Sequence, residues 1–373
     1  MCLRFEPFVS EVVLLAGAEL SMFTVGPREL RRGAGRRGRV GTQSRLRGVG
    51  AAIPIVRGVD VAELLSRIAA DGDYNPFSLK DFGPAEIAEV RAALSSSALR
   101  EAALAVLATL REPFDPALLP AEKPLPFSEC EFWYALPTGD RAAALDAFGF
   151  SSPVPVTMRM GRLAWRFEGT RWWSDHGRCS VVYVSPVLDG WTLVFGEPSV
   201  DRHAVGTLPP GEDDPYGVKQ MAADEAARRA VRRERCASLS RRLGAAHLYL
   251  KSYGDSTTSW FIAEHGELIR WYDLMVPEQQ IGPPHPGEAG FRLPHEPDPW
   301  PEDSFNDILS NHVGREAAVR FHDRYRRLQA EYNVPDSGNA NDVASALSVL
   351  PRDLGPGTEV QGLGVLARTG CPG

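Results

Sequence analysis

The residues best suited to chemistry lie together at Trp172-Trp173-Ser174-Asp175-His176-Gly177-Arg178-Cys179. Asp175, His176 and Cys179 put a carboxyl, an imidazole and a thiol within five positions. A His-x-x-Cys spacing can supply two metal ligands, with Asp175 or His203 adding another. Without a metal, the same three groups are the types a hydrolase needs for a thiol nucleophile and its base. Trp172 and Trp173 beside them are candidates for binding. The competing reading is a polar turn ahead of a buried strand, with Cys179 a small apolar residue facing a core. No second ligand pair accompanies the motif, so the identity of any metal stays open.

A second candidate is the segment 276–301, which holds eight prolines together with His285, Glu288, His295, Glu296 and Asp298. Imidazoles and carboxylates are the groups of acid–base work, and His285, His295 and Glu296 are the binding candidates here. Their spacing follows no regular element. The alternative is a stiff loop packed across a surface. A third candidate is the run Arg228, Arg229, Arg232, Arg233, Arg235, Arg241 and Arg242. On a helix it could hold phosphates or an acidic partner, although the acids ahead of it suit internal pairing on a solvated face.

The common signatures are absent. There is no P-loop, no Gly-x-Gly-x-x-Gly after a strand, no His-Glu-x-x-His and no Gly-x-Ser-x-Gly. No cofactor is expected, and whether the chain is an enzyme stays open, with a non-enzymatic role favoured.

Charge is distributed unevenly. The chain of 373 residues has a net charge of -7. Residues 1–50 carry nine Arg against four Glu, so the remaining 323 residues form a distinctly acidic body. The Gly-Arg stretch from Arg28 to Arg47 could bind nucleic acid as a polycation. It lacks interleaved aromatics, and a disordered leader outside the fold is the expectation. Residues 12–18 mimic a signal core, but Glu6 and Glu11 sit where such a segment should be basic or apolar. No run of 18 apolar residues exists, so no membrane span is expected. Five scattered cysteines form neither a disulfide framework nor paired metal spacing. Together these features predict a cytoplasmic protein.

The elements that must carry these residues are readable from periodicity. Short helices are predicted near Val61–Ile68, from Pro84, and around Leu104–Leu110, a helical unit within 51–120 closed by prolines. Residues 128–275 read as the α+β core. Strands are expected at Glu129–Leu136, Cys179–Ser185, Trp191–Phe195, His247–Lys251, Ser259–Ala263 and Glu267–Asp273. Asp189-Gly190 and His265-Gly266 are tight hairpin turns. A helix is expected at Asp140–Phe148, and a long one from Val218 to Leu243 that stops at Gly244. After the Pro-rich loop, residues 302–373 are expected to be helical, with the stripe Ala318, Phe321, Tyr325, Leu328 and Tyr332. Hairpins adjacent in sequence predict an α+β fold with a mainly antiparallel sheet, flanked by helical N- and C-terminal portions.

Some landmarks carry a resemblance. They are Trp191-Thr-Leu-Val-Phe-Gly196, Leu239-Ser240, Ser259-Trp260-Phe261-Ile262-Ala263-Glu264-His265-Gly266, Leu268-Ile269-Arg270, Pro277-Glu278 and Ile281-Gly282. This quarter of the chain resembles a segment of uncharacterised actinobacterial α+β proteins, reminiscent of small immunity and interaction proteins. The resemblance implies a fold and no catalytic residue. With the acidic body and the many aromatics, it leads to the expectation of a protein partner rather than nucleic acid or membrane. The alternatives are a hydrolase at Asp175, His176 and Cys179, and nucleic-acid binding through the leader and the basic helix.

Overall fold

The computed structural model describes residues 60–70, 79–80, 82–127, 131–171, 181–196, 218–252, 257–301 and 303–369. The first helix, α1 (Val61–Ala69), starts where the Asp60 carboxylate accepts the Glu63 N–H at 3.0 Å, a satisfied N-cap. It buries Val61, Leu64, Leu65 and Ile68. Helices α2 (Pro84–Ala92) and α3 (Arg100–Leu110) follow. In α3 every residue from Ala102 to Thr109 is buried. A helix apolar all round belongs inside a core, and α3 packs between α1 and the sheet's own helix, α5 below. The helical segment thus joins the same hydrophobic cluster as the sheet, which runs from Val61 to Leu366.

Strand β1 (Glu131–Leu136) is followed by α4 (Arg141–Phe148), whose N-cap Asp140 accepts the Ala143 N–H at 3.0 Å. Then come β2 (Ser151–Val156), α5 (Met158–Arg171), β3 (Val181–Leu188), β4 (Trp191–Phe195) and α6 (Val218–Leu243). Strands β5 (Ala245–Lys251), β6 (Thr258–Glu264) and β7 (Glu267–Asp273) form a meander. The chain continues through α7 (Asn306–Asn311), α8 (Gly314–Tyr332) and α9 (Ala340–Leu347) to β8 (Val360–Gln361) and β9 (Gly364–Arg368).

All nine strands join one sheet in the order β2-β9-β3-β4-β1-β5-β6-β7, with β8 on β3, and every pairing is antiparallel. This is the α+β, mainly antiparallel arrangement the hairpins predict. The turn at Asp189-Gly190 has φ of 47° and 84°, and His265-Gly266 has 49° and 94°. Two successive positive values match the turn that follows the natural twist of a hairpin. Trp133, Leu193, Phe195, Tyr249, Trp260 and Tyr272 point to one face. Tyr134, Val194, Leu248, Phe261 and Trp271 point to the other, as the period of two requires. Helices α1, α2, α3 and α5 cover part of the first face, and α9 with the Pro-rich loop covers the rest. Helices α4 and α6 cover the second.

Three elements depart from the expectation. The C-terminal portion is not helical to its end: β9 inserts between β2 and β3. Its core is only five residues long, Gly-Val-Leu-Ala-Arg, too short for periodicity to separate strand from helix. Strand β2 contains Pro153 and Pro155, which argue against a strand except at a sheet edge, and the edge is where it lies. Helix α5 carries Gly161, unfavourable within a helix. A Cβ there would stand 2.2 Å from the Tyr183 ring, and one at Gly364 would stand 2.6 Å from it. The two glycines make room for one buried tyrosine between helix and sheet.

Candidate functional site

Trp172, Trp173, Asp175, His176 and Cys179, with His203, lie outside the described residues, as does the 1–50 leader. Among the described residues no group of three or more His, Cys, Asp or Glu side chains is placed to hold a metal ion. Cys236 is buried in the second core face.

The Pro-rich loop is fixed to the sheet by Glu288. This residue ends a turn at Pro286–Glu288 and is 6% exposed. Its Oε1 accepts Arg270 Nε at 2.7 Å, Trp260 Nε1 at 3.1 Å and the His285 N–H at 3.1 Å. Its Oε2 accepts Arg270 Nη2 at 2.9 Å. Arg270, 0% exposed on β7, also donates through Nη1 to Gln280 Oε1 at 3.0 Å and the Gly282 carbonyl at 2.9 Å. A buried pair is stable only when its remaining donors and acceptors are also met, and these are. Ile281 then pairs with Trp271 in both directions, at 3.0 and 2.9 Å, along the edge of β7. At Gly282, with φ of 75°, a Cβ would stand 2.0 Å from the Ile269 carbonyl. Only glycine fits this crossing.

The binding candidates on this loop are each engaged locally. His285 Nδ1 accepts the Gly287 N–H at 3.2 Å and so caps the turn that presents Glu288. His295 Nδ1 meets Tyr272 Oη at 3.1 Å, and burial raises the tyrosine hydroxyl's pKa. Glu296 accepts the Leu293 N–H at 3.3 Å. Arg292 closes the far end, bonding Tyr325 Oη at 2.7 Å, the Glu296 carbonyl at 2.9 Å and the Asp298 carboxylate. Trp300 packs edge-on to Tyr325 there, with ring centres 5.0 Å apart. The loop is a strap that joins β6 and β7 to α8.

Sequence reasoning did not single out His247. It lies on β5, 6% exposed, beside Trp191 with ring centres 5.4 Å apart. Ser348 Oγ lies 3.2 Å from the Ala344 carbonyl and 3.4 Å from Tyr249 Oη, and Tyr249 Oη lies 3.1 Å from His247 Nδ1. Desolvation, and after it the nearby His285, holds the His247 pKa down at about 4. Burial pushes Tyr249 the other way, well above the usual phenol range. The alternation in Ala-Ala-His-Leu-Tyr-Leu-Lys would have placed His247 with Tyr249 on the core face.

The arginines of α6 are not a uniformly solvated face. Arg229 bonds Asp273 at 2.7 Å with only 12% of its side chain exposed. Arg232 bonds Glu225 at 3.0 Å and lies over the Phe132 ring. Arg233 covers Trp271, 4.6 Å from the ring centre. Arg228 pairs with Glu225 at 2.9 Å, and Arg242 pairs with Asp146. These contacts tie the helix to the sheet and to α4.

Among the described residues, concavities open to solvent flank α4. A groove of about 740 Å³ runs between the start of α4 and the strands β2, β9 and β3. Leu145, Val187, Val365, Pro153 and Pro155 supply its apolar surface, and Asp140, Arg141 and Gln361 also line it. Comparison with protein-family models, curated proteins and solved structures finds no match to this chain. No helix among the described residues is long and apolar enough to cross a membrane.

Proposed function

We propose that the protein acts by recognising another protein, in an immunity-type or accessory role. The observation that carries this reading is the groove beside α4, open to solvent and lined by apolar and polar side chains together. Protein contacts combine apolar anchors with polar groups in this way. Small-molecule sites instead enclose most of their ligand.

The described polar side chains add support. Glu288, Arg270, His285, His295 and Arg292 hold the Pro-rich strap in place. The arginines of α6 hold that helix on the sheet.

The test has two steps. The tagged full chain is cross-linked in its native host and purified, and each partner found is then made as a pure protein. Titration calorimetry should give a stoichiometric complex with a dissociation constant in the micromolar range or tighter. Partners that form no binary complex with the pure chain would overturn the reading.

A further inference from the structure

We propose that the groove between α4 and the β2 edge docks an extended, acid-bearing segment of a partner protein, with Arg141 meeting its carboxylate. The proposal rests on the recognition reading above and names the surface and the chemistry of its partner.

Arg141 differs from most of the arginines that are partly or wholly buried; Arg233 likewise has no hydrogen bond or ion pair among the described residues, but it lies over the Trp271 ring. Arg159 donates to the Ile68 and Ala69 carbonyls, and Arg229, Arg232, Arg270 and Arg292 each bond a carboxylate. Arg141 is half-buried and has no hydrogen bond or ion pair among the described residues. Its guanidinium reaches over Gly362, where a Cβ would lie 3.7 Å from Nη1. It is also the first residue of α4, at the positive end of the helix dipole, where a cation is disfavoured and an anion favoured. The neighbouring Asp140 is already engaged, accepting the Ala143 N–H. A guanidinium set against its own helix dipole, with no hydrogen bond or ion pair among the described residues and only an electrostatic contact with the buried Tyr183 hydroxyl, is complementary to a carboxylate from elsewhere.

The rest of the groove fixes how such a segment would lie. Pro153 and Pro155 remove two N–H donors from the edge strand, so a partner strand cannot complete a ladder along β2. Recognition then depends on side chains. Apolar groups rest on Val187, Val365 and the two proline rings, and an Asp or Glu reaches Arg141.

The experiment is a selection of random dodecapeptides displayed on phage against the full chain. The enriched sequences should share an Asp or Glu at a fixed spacing from apolar residues. A synthetic peptide of that sequence, followed by fluorescence anisotropy, should bind Arg141→Glu about tenfold or more weakly, with Arg141→Lys in between. The reversal places a carboxylate where the helix dipole favours one, so loss of the fold does not account for loss of binding. Gln361→Trp, a change at an exposed residue of the groove lining, should block the peptide as well. Enriched peptides without an acid, or affinities unchanged in both variants, would overturn the groove and leave the recognition reading standing. A library that yields no binder would also overturn the groove. The reconstituted partner complex tests the recognition reading separately.

Discussion

Arg270 and Glu288 form a bidentate ion pair in the interior, with bonds of 2.7 and 2.9 Å and side chains 0% and 5% exposed. The pair joins β7 to a loop that otherwise makes isolated bridges at Ile281, to Trp271, and at Arg292, to Ser337. Removing one partner leaves the other charge buried and unpaired, which costs about 3–5 kcal/mol. Glu288→Ala should lower the unfolding free energy in urea by that amount. It should also expose the strap to trypsin at Arg292. The double change Arg270→Met with Glu288→Met should recover much of the loss, because no lone charge remains.

His247 makes stability depend on pH. Its pKa in the fold is held at about 4, against about 6.5 in the unfolded chain. The unfolded state therefore binds the proton first. The stability from the neutral imidazole is complete above about pH 6.5 and is lost as pH falls towards 4. The difference amounts to about 3 kcal/mol. Urea melts between pH 7.5 and 4.5 should show this slope in the wild type, and His247→Gln should flatten it.

The Tyr183 ring has no room to give way, being held between Gly161 and Gly364. Gly161→Ala would ordinarily favour a helix. Here it should destabilise by about 1–3 kcal/mol, the range for overfilling a packed core. Adding Tyr183→Leu should relieve part of the penalty. Thermal melts of the single and double variants read the difference.

Arg141→Glu should raise stability, since it replaces a cation with an anion at the start of α4. The gain should be about 0.3–1 kcal/mol at low salt and shrink as salt rises. A residue whose replacement strengthens the fold is one the fold alone does not require.

The sequence made the central meander legible because each of its elements carried a strong local signal. Asp189-Gly190 and His265-Gly266 fix two hairpins, and Gly244 ends the long helix with φ of 89°. Strand β2 and helix α5 were illegible because Pro153, Pro155 and Gly161 are locally wrong for their elements. Each is tolerated for a tertiary reason: the edge position for the prolines and the Tyr183 ring for the glycine. The His and carboxylate set of the Pro-rich loop was visible, but its role was not. Arg270, the partner that turns Glu288 into a structural anchor, is supplied by a strand 18 residues earlier. Arg141 carried no signal, because its lack of a hydrogen bond or ion pair among the described residues is a property of three dimensions.

The most direct test of the groove as the recognition surface is the affinity of the reconstituted partner complex, measured by calorimetry for wild type, Arg141→Glu and His295→Ala. The predicted result is a dissociation constant raised about tenfold or more by Arg141→Glu and unchanged by His295→Ala. A complex indifferent to Arg141 but lost on His295→Ala would contradict the account, because it would place function on the strap rather than in the groove.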